Sequence, residues 1–173
     1  MCVVKRALLS GVGAALILFA PVSALAYECP PKPPNQTAEQ VRTAFLKEVE
    51  EADVIFSGEV VESDPLYARF KVDKVWKGEL QGEVVILTGV KRHENGSYSR
   101  WSSDYGGYRL GEKYVVWASG PAGELKAHAC SRTGPASRAA QDIEALDDLK
   151  ESGSEHLKPS LQPRPAAPGK GEI

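Results

Sequence analysis

Between residues 54 and 130 the sequence repeats one pattern: short apolar runs with strand alternation, cut by turn residues. The first run is Val54-Ile55-Phe56-Ser57-Gly58-Glu59-Val60-Val61, and Asp64-Pro65 turns the chain after it. The second covers residues 67–76, with Ala68, Phe70 and Val72 on one face and Arg69, Lys71 and Asp73 on the other. Val75-Trp76 breaks that alternation, which predicts a bulge or bend, and Lys77-Gly78 ends the run. Val84-Val85-Ile86-Leu87-Thr88 is a third run, apolar on both faces and therefore read as a central strand. Tyr114-Val115-Val116-Trp117-Ala118 is the fourth. Residues 125–130 are the fifth, with Leu125, Ala127 and Ala129 opposite Lys126, His128 and Cys130. Five short strands expose many edges, and curling them into a small barrel protects those edges. A β-sandwich is the competing arrangement, but it needs about seven strands.

A stretch of helical period lies on each side. Over residues 37–51, Val41, Ala44, Phe45, Glu48/Val49 and Ala52 share a face, and Thr37 with Gln40 forms a capping-box pair at the start. Over residues 135–150, Ala136, Ala139/Ala140, Ile143, Leu146 and Leu149 share a face, with Pro135 suited to the first turn. A chain of 173 residues, 42% hydrophobic, supports one such domain and is short for two. Its formal charge of −2 argues against a dedicated nucleic-acid binder.

The ends differ from the middle. Lys5 and Arg6 precede an apolar run at residues 7–20, followed by Pro21 and Ala24-Leu25-Ala26. A basic start, an apolar middle and small residues at −3 and −1 predict a signal peptide over residues 1–26, cleaved after Ala26; a buried N-terminal helix is the alternative. The run falls short of the roughly 20 residues needed to span a bilayer, so no membrane anchor is expected after cleavage. Export to the periplasm or the medium follows. Cleavage removes Cys2, Lys5, Arg6 and no acidic residue, so the exported chain becomes more acidic. Residues 27–36, with Pro30-Pro31-Lys32-Pro33-Pro34, read as a stiff polyproline leader, and a ligand for a Pro-recognising domain is the other reading. The domain is expected over residues 37–151. Residues 152–173, rich in Ser, Gly, Pro and Lys, read as a disordered tail.

After cleavage two cysteines remain, Cys29 and Cys130. In an oxidising compartment an even count points to one disulfide, and two free thiols are the alternative. Two lone cysteines without nearby Cys/His spacing make no zinc ligand set, and no metal is expected in the free protein. No cofactor motif appears. Three histidines are available, His93, His128 and His156. Ser102-Ser103-Asp104 lies near His93, but neighbours in a loop are not a triad. The chain is therefore read as non-catalytic.

Residues 91–109 stand apart. Around the turn signal Asn95-Gly96 lie Tyr98, Arg100, Trp101, Tyr105 and Tyr108, separated by Ser and Gly. Rigid amphipathic rings among small residues are the composition of protein-binding loops. The other reading is a twisted hairpin whose rings cover the barrel mouth.

The order of four motifs carries a family resemblance. They are residues 52–61 (Ala-Asp-Val-Ile-Phe-Ser-Gly-Glu-Val-Val), residues 72–78 (Val-Asp-Lys-Val-Trp-Lys-Gly), residues 110–118 (Leu-Gly-Glu-Lys-Tyr-Val-Val-Trp-Ala) and Cys130-Ser131-Arg132-Thr133. Over roughly residues 29–149 the chain resembles the bacterial relatives of the tissue inhibitors of metalloproteinases, the netrin-like family. The resemblance implies a mainly β protein: a five-stranded OB-fold barrel flanked by two α-helices. It implies Cys130 as the partner of Cys29. It also implies a protein partner, an extracytoplasmic zinc protease, met by a monomer through Tyr27, Glu28 and Cys29. In the family's animal members the α-amine and carbonyl of the first mature residue ligate the protease zinc. Here Tyr27 stands in place of the family's first cysteine, and Tyr105-Gly106-Gly107-Tyr108 in place of that cysteine's partner. A whole disulfide of the family is thus missing. The alternative function is a glycan- or cell-envelope-binding OB-fold module that uses residues 91–109.

Overall fold

The protein was analysed as a computed structural model that describes residues 29, 31, 33–100 and 103–158. The strands are β1 (Val54–Ser63), β2 (Tyr67–Lys77), β3 (Glu83–Leu87), β4 (Val90–Arg92), β5 (Tyr98–Arg100), β6 (Lys113–Ser119), β7 (Lys126–Ala127) and β8 (Gly134–Pro135). Two α-helices accompany them, α1 (Ala38–Glu51) and α2 (Ala140–Glu151). Among the described residues the main sheet runs β1-β2-β3-β7-β6-β8, and a further β1–β6 pairing closes the first five into a barrel. β3 and β7 pair in parallel; the other pairings are antiparallel. A mainly β, five-stranded, OB-fold-like barrel flanked by two helices is therefore the architecture.

Bulges let so few strands close. Along β1 and β2, Ile55 pairs with Lys77 but Phe56 pairs with Val75, so Trp76 is the extra residue. This is the irregularity expected at Val75-Trp76, and it turns Trp76 out of the barrel while Val75 stays against the interior. Two more shifts, at Ser57/Gly58 and Val60/Glu62, add to the coil of the ribbon.

Two cores result. Inside the barrel lie Phe56, Val60, Phe70, Ile86, Tyr114 and Val116, among others. Between barrel and helices lie Phe45, Val49, Ile55, Trp76, Val115, Trp117 and Leu146. β1 and β6 feed both cores through alternate residues. β6 is thus buried on both faces along most of its length, and β1 over its first half. The apolar run at β3 keeps only Ile86 fully buried, a correction to its two-sided reading. It does sit between β2 and β7, but the second core under the helices draws its strand residues from β1, β2 and β6.

Helix α1 begins at the expected capping box: Gln40 N–H donates to Thr37 Oγ1 at 3.2 Å, and Thr37 N–H donates to Gln40 Oε1 at 2.9 Å. At its other end the last four carbonyls have no partners within the helix. All four find them nonetheless. Ala52 N–H bonds Glu48 O at 3.1 Å, Lys77 Nζ bonds Val49 O at 2.8 Å and Glu50 O at 3.1 Å, and Ser119 Oγ bonds Glu51 O at 3.1 Å. Helix α2 begins five residues later than expected. Pro135 pairs with Tyr114 in β8, and a 3-10 turn at Ala136–Arg138 leads into the helix.

The chain also stays folded beyond Glu151, which corrects the tail boundary for residues 152–158. A 3-10 turn at Glu155–Leu157 packs Leu157 on the helix core, and His156 Nδ1 lies 2.6 Å from Glu50 Oε1. The rest of the tail, residues 1–26 and the leader positions 27, 28, 30 and 32 lie outside the described residues.

Candidate functional site

Cys29 and Cys130 form a disulfide across 101 positions, with their Cα atoms 5.4 Å apart. A disulfide is compatible with an extracytoplasmic location. The turn that carries Cys130 is locked from several sides. Ser131 Oγ donates to His128 O at 2.7 Å. Thr133 Oγ1 accepts from Trp117 N–H at 2.9 Å and lies 3.3 Å from Trp117 O, tying the turn to β6. Arg132 reaches Glu48 of α1 at 3.3 Å and Asp142 of α2 at 2.8 Å, with its guanidinium 5.1 Å from the Phe45 ring centre. Each residue of the Cys-Ser-Arg-Thr motif thus fastens the point where Cys29 is attached.

A second segment meets the same turn. Residues 103–105 lie antiparallel to 127–129: Tyr105 N–H donates to Ala127 O and Ala129 N–H to Ser103 O, both at 2.6 Å, around an Asp104–His128 bridge. Cys130 is therefore bonded to Cys29 and directly follows the segment paired with residues 103–105. The loop at residues 105–109 is held by Tyr114, whose hydroxyl lies 3.1 Å from Gly107 O and 2.9 Å from Glu112 Oε2 and accepts Arg109 N–H at 3.1 Å. Burial, then the Glu112 bond, pushes the Tyr114 hydroxyl up to about 12, so it stays protonated as a donor.

The pairing of Ser103 with a histidine could be drawn as a nucleophile and its base. Ser103 Oγ lies 2.7 Å from His128 Nε2. But Cys130 N–H donates to His128 Nδ1 at 3.1 Å, and a backbone N–H can only donate. Nδ1 is then the acceptor, so in the neutral ring Nε2 carries the proton and donates to Ser103. In that tautomer the ring holds the loop rather than accepting the Ser103 proton. His93, whose Nε2 is 2.7 Å from Ser99 Oγ, lies on the hairpin instead. Among the described residues no group of three or more His, Cys, Asp or Glu is arranged to hold a metal ion, and no helix is long and apolar enough to cross a membrane.

The aromatic candidates separate. β4 and β5 form a hairpin of their own, closed at Asn95-Gly96 with Gly96 at φ 80°. Val90, Arg92, Tyr98 and Arg100 share one face of it. Tyr98 is 48% exposed and Arg100 is exposed. Tyr108 is corrected: it is 7% exposed, with its ring centre 5.0 Å from Phe70 and 4.9 Å from Tyr105. It belongs to the barrel interior and offers no area to a partner, and burial raises its hydroxyl pKa. Tyr105 is half-buried beside it. Tyr27, Glu28 and Trp101 lie outside the described residues.

Two depressions adjoin these residues. A cleft of about 760 Å³ beside Cys130 is lined by Glu50, Glu51, Asp104, Lys126 and His128. A groove of about 610 Å³ lies between the hairpin face and the Ser63–Pro65 turn. Sequence reasoning missed Asp64, Lys126 and the α1 carboxylates, because the partners that assemble these depressions lie far apart in the chain. The chain matches no family model and no curated protein.

Proposed function

We propose that this protein is an exported, non-catalytic protein-binding module whose interface joins the Cys29 segment, Cys130 and residues 98–100 and 103–105. The observation that carries the reading is the double attachment of Cys130. A disulfide joins it to Cys29, and the 103–105/127–129 ladder beside it holds residues 103–105. Two segments read separately as partner-binding thus share one anchored turn. Pre-ordered loops lose little entropy on binding, and that favours a rigid recognition surface over a flexible one.

The resemblance to the relatives of the tissue inhibitors of metalloproteinases makes a zinc protease the partner class in this proposal. Zinc is then supplied by the target, and this chain supplies the backbone ligands of its first residue. The test begins with the protein recovered from the periplasm or medium and sequenced from its N-terminus. Inhibition is measured across a panel of zinc proteases before and after acetylation near pH 6.5. There the α-amine, with a pKa of about 8, reacts ahead of lysines near 10.4. Inhibition that acetylation abolishes supports the zinc-ligating N-terminus. Inhibition indifferent to acetylation, or none across the panel, removes it.

A further inference from the structure

The hairpin formed by β4 and β5 is basic, on a chain with 23 acidic and 21 basic residues. Elsewhere Arg69, Lys74, Lys113 and Arg132 each reach a carboxylate within 4 Å. Lys91, Arg92 and Arg100 reach no described carboxylate within that distance. Three exposed cations within one short hairpin, none of them held by a described carboxylate, make a charged patch. Glu94 is the hairpin's own acidic residue, and Asp64, whose Oδ1 accepts Leu66 N–H at 2.8 Å, lines the far side of the groove.

The two arginines are also placed. Arg92 stands opposite Tyr98 and Arg100 opposite Val90, so they are diagonal neighbours on one face, about 7 Å apart at the backbone. Arg100 lies flat across Gly106 and donates from Nη1 to Asp104 O at 3.3 Å. A Cβ at position 106 would stand 2.1 Å from its Nη2. Tyr98, opposite Arg92 and two residues before Arg100, is exposed on the same face. Among the described residues no third strand pairs with either edge of the hairpin.

We propose that this hairpin face, with the groove beside it, binds an extended segment of a partner protein that carries carboxylates at alternate positions. Alternate side chains of an extended strand also recur about every 7 Å, so an acidic-x-acidic segment matches the spacing of Arg92 and Arg100. Each guanidinium presents the planar fork that takes a carboxylate. Tyr98 offers its exposed ring to the residue between. The proposal rests on the protein-binding reading of this loop and names the chemistry of what it binds there.

The test uses the exported full-length protein and two fluorescent peptides, one alternating Glu and Thr, the other Gln and Thr, followed by anisotropy. The Glu peptide should bind at least tenfold more tightly than the Gln peptide and weaken as salt rises. R92Q/R100Q should cost at least tenfold with melting unchanged. Gly106→Ala, which displaces Arg100 without removing it, should cost several-fold. R42Q/K71Q, which removes two cations elsewhere, should leave binding within twofold. Equal binding of the two peptides, an equal loss in R42Q/K71Q, or no binding by the folded wild type overturns the groove. So does tighter binding of a sulfated oligosaccharide, which would assign the hairpin to glycans. Protease inhibition is assayed in parallel. Inhibition kept by R92Q/R100Q while peptide binding is lost separates the groove from the N-terminal reading, and peptide binding without inhibition leaves the groove standing alone.

Discussion

Lys77 shows how much one side chain can do for this fold. It is 2% exposed at the end of β2, and its ammonium group bonds Val49 O and Glu50 O at 2.8 and 3.1 Å. Helix α1 has no basic residue in its own last turn, so this cation from another element meets the negative end of the helix. Lys77→Met would keep the stem's packing and lose the charge. Hydrogen bonds from charged donors are worth about 1.5–3 kcal/mol, and the substitution strands two carbonyls, so a loss of about 2–3 kcal/mol is expected in urea unfolding. A loss under about 0.5 kcal/mol would show that water serves those carbonyls equally well. In the sequence Lys77-Gly78 reads simply as the end of a strand, because a lysine gives no sign of the helix end it will meet. Tyr108 and Leu110 make the same point from the other side. Tyr108 reads as a loop aromatic and is buried; Leu110, two residues on, is 67% exposed. Hydrophobicity alone cannot rank them, since burial here depends on which residue the Gly106-Gly107 segment turns toward Phe70.

At the scale of elements, alternation made the strands legible, and the capping box marked where α1 starts. The faces were less legible, because they depend on which strands the helices cover. The α2 docking contact is a case. Asp147 of α2 meets Lys74 Nζ at 2.6 Å and accepts the Trp76 indole N–H, both from β2 next to the bulge. The Lys74 bond first, then the Trp76 bond, holds the Asp147 carboxyl below its ordinary value of 3.8. A carboxyl whose folded pKa is lowered stabilises the fold above its unfolded pKa, and that stability is lost as pH falls through the folded value. Asp147→Asn should therefore cost about 1–2 kcal/mol at pH 7, allowing for partial exposure. The gap between the two proteins should be full above pH 3.8 and close as the wild type is acidified further. Unfolding midpoints measured from pH 7 to about pH 2 follow this directly. A gap that stays constant down to the lowest pH would assign the effect to shape rather than charge.

For the whole molecule, the disulfide decides how the leader at Cys29 meets the domain. It closes a loop of 101 positions, which the chain-entropy model values at about 4–5 kcal/mol. That figure assumes the cross-linked ends are equally ordered in the folded protein with or without the bond. Here they are not. The described leader residues from Cys29 to Gln36 are exposed, and the first fixed point after them is the Thr37 cap. Opening the bond releases the leader, which regains about 1 kcal/mol per freed residue, less where proline already limits its freedom. The folded state thus recovers part of what the unfolded state gains. C29S/C130S should therefore lose clearly less than the about 4–5 kcal/mol of the chain-entropy model and keep its fold by circular dichroism. Peptide binding at the hairpin should remain, since the 103–105/127–129 ladder does not involve either sulfur atom. Any activity that needs the first residues held in place should fall far more than the stability does. A loss near the full 4–5 kcal/mol would mean that the leader packs against the domain. An unchanged N-terminal activity in the double variant would mean that the anchored turn is not what presents the first residues.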